Sequence, residues 1–252
     1  MLQVQRQAEI LRVLHAAGPT AVRDLATTLG VSASTIRRDL ARLGARGALE
    51  RVRGGAHVAD DADVDRPFAQ VVATDTSDKD AVAAKAAEMV GDGDVLLLDI
   101  GTTVMRLAHH LRRRPVTIIT SNLAVFDVLR DDPAVELVLL GGVVRQTYLS
   151  LVGMLTQGAL REVRANYAFV GTSGVRTDGE VLDSTRVEVP IKTAMMRAAD
   201  TTVLLADKHK FPGTGALRVC NVIDVDVLVT NGGADERTLR TCAAAGVEVM
   251  LA

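Results

Sequence analysis

The chain has 252 residues, 48% of them apolar and 24% charged, with a formal net charge of −2. That length bounds it to one large domain, or a small one plus a medium one, with enough apolar residues for a sizeable core. Four Phe, two Tyr and no Trp argue against a single-strand nucleic-acid binder built on stacking platforms and against a sugar cleft walled by rings. Two cysteines, Cys220 and Cys242, cannot make a disulfide framework or a four-cysteine zinc site, and they fit a reduced, cytoplasmic setting. The opening MLQVQRQAEI lacks the apolar core of a signal peptide, and no uncharged apolar stretch of about 18 residues offers a membrane span.

The small net charge conceals an asymmetry. Residues 1–58 hold nine Arg, no Lys and four acids, a net +5, whereas the rest carry −7 and all five lysines. An Arg-rich head on a larger acidic body suggests a module for a polyanion joined to a separate domain.

In chain order, residues 5–16 put Ile10, Leu11 and Leu14 on one helical face, ended by Gly18-Pro19. Thr20 is read as the cap of a second helix over 21–29, with Val22, Leu25, Ala26 and Leu29 facing in. After a Gly30-Val31 turn, Ser32 caps a third helix, SASTIRRDLARLGARG, whose Ile36, Leu40 and Leu43 recur at i, i+4 and i+7. Its outer side carries Ser34, Arg38, Ala41 and Arg42, flanked by Thr35 and Arg37. A third helix of this kind can enter the major groove, where guanidinium forks pair with guanine edges or phosphates. LERVRGGAHV then reads as a hairpin: a strand over 49–53, a Gly54-Gly55 turn and a return strand from Ala56, with Arg51 and Arg53 on one face. Three helices and a basic wing make a winged helix-turn-helix over 1–58. Ser32, Ser34, Thr35, Arg37, Arg38, Arg42, Arg51, Arg53, Gly54 and Gly55 are its candidate DNA contacts. Arg6, Arg12 and Arg46 are read as solvated surface charges. A helical dimerisation module is the rival for this segment; it is outweighed because positive charge gathers on the wing and on the third helix's outer face together.

Residues 59–78 are Asp-rich and weakly periodic, and they read as a linker with Arg66-Pro67-Phe68 as a docking point. From Lys79 on, apolar runs at 95–100, 116–120, 136–140, 167–170, 202–206, 225–230 and 247–251 alternate with helical stretches near 79–91, 103–113, 122–131, 153–164, 188–200 and 234–245. This predicts an α/β domain over 79–252 with a mostly parallel sheet, whose buried strands need near-continuous apolar runs. Ligands of such sheets bind beyond the carboxyl ends of the strands. There the sequence gathers Asp99-Ile100-Gly101-Thr102-Thr103, Thr120-Ser121-Asn122, Gly141-Gly142 with Arg145 close behind, Gly171-Thr172-Ser173-Gly174, Asp207 with Lys208 and Lys210, and Asn231-Gly232-Gly233. Free amides at a helix start, hydroxyl donors and cations suit an anion with several hydroxyls, a phosphorylated sugar or polyol. No GxxxxGK[ST] and no GxGxxG after a strand occurs, so no nucleotide cofactor is expected. His57, His109 and His110 are read as exposed or solvated, no histidine cluster suggests a metal, and neither cysteine has a basic neighbour in sequence.

Both segments carry one family resemblance. VSASTIRRDLARL followed by RVRGGAHV resembles the DNA-binding head of DeoR-type bacterial transcription regulators. Asp99-x-Gly101-Thr102-Thr103, Thr120-Ser121-Asn122, Gly141-Gly142, Gly171, Asp178-Gly179, Glu188-x-x-x-Lys192 and Asp207-x-x-Lys210-Phe211 resemble the effector domain of the same family, a domain similar in fold to ribose-5-phosphate isomerase. The resemblance implies a repressor that senses a sugar phosphate, acting on double-stranded operator DNA as a dimer or tetramer. It adds Glu188 and Lys192 to the effector set, which becomes Asp99, Gly101, Thr102, Thr103, Thr120, Ser121, Asn122, Gly142, Arg145, Glu188, Lys192, Asp207 and Lys210. One departure stands out: the family's Asp-x-Ser-Lys reads Asp207-Lys208-His209-Lys210 here. The fold also raises an isomerase as the alternative, with Glu188 or Asp178 as base and Lys192 or Lys210 stabilising an enediolate. Against that, Glu188 and Lys192 are equally an i,i+4 surface pair, and the head favours a sensor.

Overall fold

A computed structural model describes residues 6, 7, 9, 10, 13, 14, 20–45, 49–52, 54–57 and 67–252; for 44, 45, 50–52 and 57 it describes the backbone alone. The chain divides into two compact units, Met1–Ala62 and Asp63–Ala252.

In the first unit, residues 6, 7, 9, 10, 13 and 14 are helical. They are followed by β1 (Thr20–Ala21), α1 (Val22–Leu29), α2 (Ala33–Ala45), β2 (Glu50–Val52) and β3 (Gly55–His57). Ile10, Leu14, Val22, Leu25, Ile36, Leu40, Leu43, Leu49 and Ala56 form one buried cluster, so the inward stripe expected of the third helix is the core of this small unit. α1 stops at Gly30, whose φ of 62° lets its N–H reach back to Ala26 and Thr27. Thr20 does not cap α1. It belongs to β1, which pairs antiparallel with β3 through Thr20↔Ala56 and Ala21↔Gly55, in a sheet of order β1-β3-β2; Ala21 is the N-cap residue and offers no side-chain bond. The third strand explains Gly55, because a Cβ there would overlap the carbonyl oxygen of Thr20. Gly55→Ala should therefore destabilise the head by about 1–3 kcal/mol, the ordinary cost of forced overpacking. Urea unfolding that showed no loss would refute the three-stranded pairing.

The second unit opens with α3 (Phe68–Val72) and α4 (Thr76–Ala87). The linker expected over 59–78 thus differs from what forms: residues 67–78 fold onto the second unit, while 58–66 lie outside the described residues. Phe68 explains why, being buried and edge-to-face with Tyr148 at 5.7 Å while its N–H donates to Thr147 O. Helices α5 (Thr102–His110), α6 (Leu123–Leu129), α7 (Met154–Ala159), α8 (Val189–Ala198) and α9 (Glu236–Ala244) alternate with strands β4 (Val95–Leu98), β5 (Thr117–Thr120), β6 (Glu136–Leu139), β9 (Ala165–Gly171), β12 (Ala199–Leu205), β14 (Val227–Thr230) and β15 (Glu248–Leu251). All seven strands form one wholly parallel sheet of order β15-β14-β12-β9-β4-β5-β6. Each of the seven apolar runs became one strand. Alternate residues of β4 feed opposite layers: Leu96 and Leu98 pack with Val82, Val104 and Leu107, and Leu97 packs with Leu160, Ile191 and Met195.

Two small antiparallel additions have no counterpart in the sequence reading. The hairpin β7 (Val143–Arg145) and β8 (Ser150–Val152) is one; a three-stranded sheet of β10 (Gly174–Val175), β11 (Glu180–Asp183) and β13 (Leu217–Asn221), in the order β10-β11-β13, is the other. The latter shares a core with Leu204, Phe211, Leu228 and Cys242. Among the described residues no helix is long and apolar enough to cross a membrane.

Candidate nucleic-acid interface and ligand cleft

In the first unit the Ser32 hydroxyl accepts from the Thr35 N–H at 3.2 Å and also meets the Ser34 and Thr35 hydroxyls, so it caps α2. Ser32, Ser34, Arg37, Arg38 and Arg42 are exposed and Thr35 is half-buried, opposite the buried Ile36, Leu40 and Leu43. Asp39, two percent exposed, accepts from Arg6 Nε at 2.7 Å and from Gln7 Nε2 at 3.3 Å. Arg6, half-buried, is thus the ion-pair partner of a buried carboxylate rather than a solvated charge, since such a carboxylate needs a counter-charge. Gly54 turns the wing at a φ of 90°, and its carbonyl accepts from Val22 N–H. Arg12, His15, Arg46, Arg53 and Arg66 lie outside the described residues, as do the side chains of Arg51 and His57.

The strand order of the second unit reverses beside β4: the chain runs outward through β5 and β6, then returns to β9 and continues the other way. A crevice is expected beyond the carboxyl ends of strands at such a switch point. The cleft found there is lined by Gly101, Thr102, Thr103, Gly171, Thr172, Ser173, Asp183, Lys192, Asp207 and Lys210, with Val71, Lys79 and Tyr148 among the remaining walls. Gly101 has a φ of 111° with open space around its Cα, so the chain turns from β4 into α5 where a ligand can approach the backbone. The amides of the first turn of α5 have no intrahelical acceptors and carry the positive end of its dipole.

Beneath the cleft lies a buried charge network. Lys192 Nζ pairs with Asp99 Oδ2, lies 3.4 Å from Asp183 Oδ2, and donates to Gly171 O at 3.0 Å. Gly171 N–H donates to Asp99 Oδ2 at 3.0 Å. Burial works against the Lys192 charge, but Asp99 and Asp183 outweigh it and hold the ammonium above the ordinary lysine range. Burial pushes the Asp99 carboxyl up, against the pull of Lys192. Glu188 is also fully buried: Oε1 accepts from Ser150 Oγ at 2.7 Å and Arg145 Nη1 at 2.9 Å, and burial raises its carboxyl. Glu188 and Lys192 are therefore not a surface pair. Each faces the interior with its own partners, because α8 is covered along this side.

Of the thirteen effector residues read from the sequence, Gly101, Thr102, Thr103, Lys192, Asp207 and Lys210 line the cleft. The others support it. Asp99 lies under Lys192. Thr120 Oγ1 donates to Leu98 O at 2.6 Å and accepts from Asn122 N–H. Asn122 caps α6 through Oδ1, and its Nδ2 donates to Asp99 O and Gly101 O, tying the β4 turn to its neighbour. Ser121 is buried and its hydroxyl has no hydrogen-bond partner. Gly142 serves packing, since a Cβ would overlap Thr156 Oγ1 and crowd Val152. Arg145 sits over the Tyr148 ring at 5.2 Å, linking Glu188 to the cleft wall. Asp207 also accepts from His209 N–H at 3.0 Å. Lys208 and His209, where the sequence departs from the family pattern, turn away: both reach Asp78 on α4, at 3.1 and 3.3 Å, and the Lys208 bond holds the Asp78 carboxyl below its usual value.

Lys79, Asp183 and Tyr148 escaped the sequence reading. Asp183 ends the short antiparallel β11 and Lys79 sits in a helix, so neither follows an apolar run that would mark a strand end. Asp178, a candidate base, lies exposed in the β10–β11 turn, paired with Arg176 at 3.3 Å. Burial pushes the Cys220 thiol up to about 12 and raises Cys242 as well, which disfavours thiolate chemistry. Among the described residues no group of three His, Cys, Asp or Glu could hold a metal ion.

Residues 6–62 match the family model described as DeoR-like helix-turn-helix domain, and residues 74–232 match that described as DeoR C terminal sensor domain. The chain is 30% identical over 232 residues to the glycerol-3-phosphate regulon repressor of Escherichia coli (strain K12), covering 92% of both proteins. It is 30% identical over 227 residues to the HTH-type transcriptional repressor CsqR of the same bacterium, covering 90% of this chain and 87% of that one. To the HTH-type transcriptional repressor GlcR of Bacillus subtilis (strain 168) it is 29% identical over 231 residues, 92% of this chain and 89% of the other. Ribose 5-phosphate isomerase A from Methanocaldococcus jannaschii is similar over 54% of this chain and 55% of its own, with 19% identity and a TM-score of 0.41.

Proposed function

The chain belongs to the DeoR family of DNA-binding transcription regulators, not to the enzymes, and from that premise we propose that it represses genes of sugar or polyol metabolism in the cytoplasm. Its head binds double-stranded operator DNA through Ser32, Ser34, Thr35, Arg37, Arg38 and Arg42, with Arg51, Arg53, Gly54 and Gly55 of the wing against the backbone. A phosphorylated sugar or polyol in the cleft of the second unit changes that affinity. A homo-oligomer, at least a dimer, presents two heads to half-sites about one helical turn apart.

The observation that carries the sensor reading is the cleft at the switch point, where Gly101-Thr102-Thr103 opens α5 opposite Lys210. The phosphate sits on those amides and hydroxyls, and Lys210 supplies full charge. The ligand's hydroxyls meet Ser173, Thr172 and Asp207. Turnover is disfavoured by how the carboxylates are used. Asp99 is held by Lys192 and Gly171, Glu188 by Arg145 and Ser150, and Asp178 is remote in its turn.

A thermal-shift screen of the full chain against sugar and polyol phosphates tests this. Binding at a hundredfold excess over Kd stabilises the native state by about 2.7 kcal/mol, several degrees in melting temperature. Changing Thr102 and Thr103 to Val should abolish the shift and the operator response while DNA affinity without ligand stays as it was. A shift that survives both changes would place the phosphate elsewhere, and an isomerised product in the same mixtures would overturn the sensor-only reading.

A further inference from the structure

We infer that Lys79 is the residue through which an anion in the cleft acts on the segment leading from the head: its ammonium is handed from the carbonyl oxygens of Val71 and Thr74 to the anion. The inference rests on the cleft being the ligand site.

Lys79 is three percent exposed, and its ammonium donates to Val71 O at 3.1 Å, Thr74 O at 2.8 Å and Thr74 Oγ1 at 3.1 Å. An ammonium has three donors, and all three are used on one short turn. Val71 O, at the end of α3, also accepts from Thr74 N–H at 3.3 Å and Thr74 Oγ1 at 3.0 Å, while Thr74 O in the loop behind it is held by Lys79. One side chain thereby closes the end of the strap over 67–74, whose beginning is anchored by Phe68 on Tyr148.

The strap also walls the cleft through Val71, next to Lys79 and Tyr148 among the lining residues. The cations of the cleft differ in their commitments. Lys192 is locked between two carboxylates, and releasing it would strand both charges in the interior. Lys79 instead holds neutral oxygens, and a phosphate oxygen is a much stronger acceptor than a carbonyl. Burial lowers the Lys79 ammonium from its ordinary range, with Asp207 opposing, and a nearby anion acts in the same sense as Asp207. An anion beside it therefore draws the ammonium off the strap and takes the donor from Thr74 O, loosening the turn behind α3. In sequence that segment follows the head, so the ligand's charge becomes a change in how the head is tethered. A ligand shifts such an equilibrium only by its differential affinity for the two arrangements, and the exchange of partners at Lys79 supplies that difference.

The test is amide hydrogen exchange of the full chain with inorganic phosphate as probe, read by mass spectrometry over 68–76 and paired with the melting temperature. In the wild type phosphate should raise the melting temperature and speed exchange of this segment by about fivefold, the low end of ordinary coupling. In Lys79→Met the segment should exchange fast without phosphate and show no change on its addition. A raised melting temperature with unchanged or slower exchange in the wild type would overturn this inference and leave the cleft reading standing. If phosphate changes neither, the anion site itself falls and the inference with it. Should Lys79→Met fail to fold, the wild-type measurement decides alone.

Discussion

Lys192→Met should cost about 3–5 kcal/mol of stability, the usual penalty for removing one partner of a buried ion pair. The methionine keeps most of the stem's volume, so the loss reports charge rather than a cavity. Lys192 is almost fully buried, as are Asp99 and Asp183 beside it. Without the ammonium two carboxylates remain close together in the interior, and the Gly171 carbonyl loses its donor. The pH dependence has a definite sign. In the variant the Asp99 carboxyl, already raised by burial, rises further because its cation is gone. A group whose folded value lies above its unfolded one contributes stability at low pH and loses it as pH climbs through the folded value. The deficit against wild type should therefore grow from acid to neutral pH. Adding Asp99→Asn to the variant should recover part of the loss by removing one stranded charge. Urea unfolding across pH checks this; a loss under about 1 kcal/mol, or one independent of pH, would mean that the network is wet and weakly coupled.

The second large effect belongs to DNA. Arg37→Ala and Arg38→Ala should each weaken operator binding by about 1–3 kcal/mol, roughly fivefold to 150-fold, with the fold unchanged. Both side chains are exposed on α2, opposite its buried stripe, so nothing in the core depends on them. Whichever of the two touches phosphate should weaken all sequences alike and lower the salt slope by about one; one that reads a base should relax specificity at one position instead. Unchanged gel-shift affinity in both variants would remove α2 as the recognition helix. Arg6 provides the contrast within the same unit, since it is committed to Asp39.

Much of the second unit was legible because a parallel sheet covered on both faces demands continuous apolar runs. Runs such as VLLLDI and VDVLVT announced β4 and β14, and the polar residues behind them announced the end of the sheet at which the cleft opens. The same reasoning could not see β7, β8, β10 or β11. These strands are two to four residues long, too short to set up a period, and tertiary contact rather than local preference selects them. β1 was misread for the same cause: Thr20 has the chemistry of a cap, and pairing with Ala56 across the head took it into a strand.

The candidate site divides along similar lines. Gly101, Thr102 and Thr103 were found because strand-to-helix turns have a local signature. Lys79 and Asp183 were not, since neither follows an apolar run that would mark a strand end. Strand-end residues are equally polar whether they face a ligand or hold the scaffold, which is why Asn122, Thr120 and Glu188 could not be told from lining residues until their partners were known.

By itself, then, the sequence determined the division into a basic head and an acidic body, the helical face that carries Arg37 and Arg38, the seven strands and the end of the sheet that matters. These follow from charge and periodicity, which are properties of neighbours along the chain. Only the tertiary structure decided that Lys192 is sealed between Asp99 and Asp183, that Lys208 and His209 brace α4 instead of facing the cleft, and that Lys79 closes a strap forming one of its walls. Those outcomes depend on which distant groups share a low-dielectric interior, where a charge must find a partner and the partner is chosen by the fold.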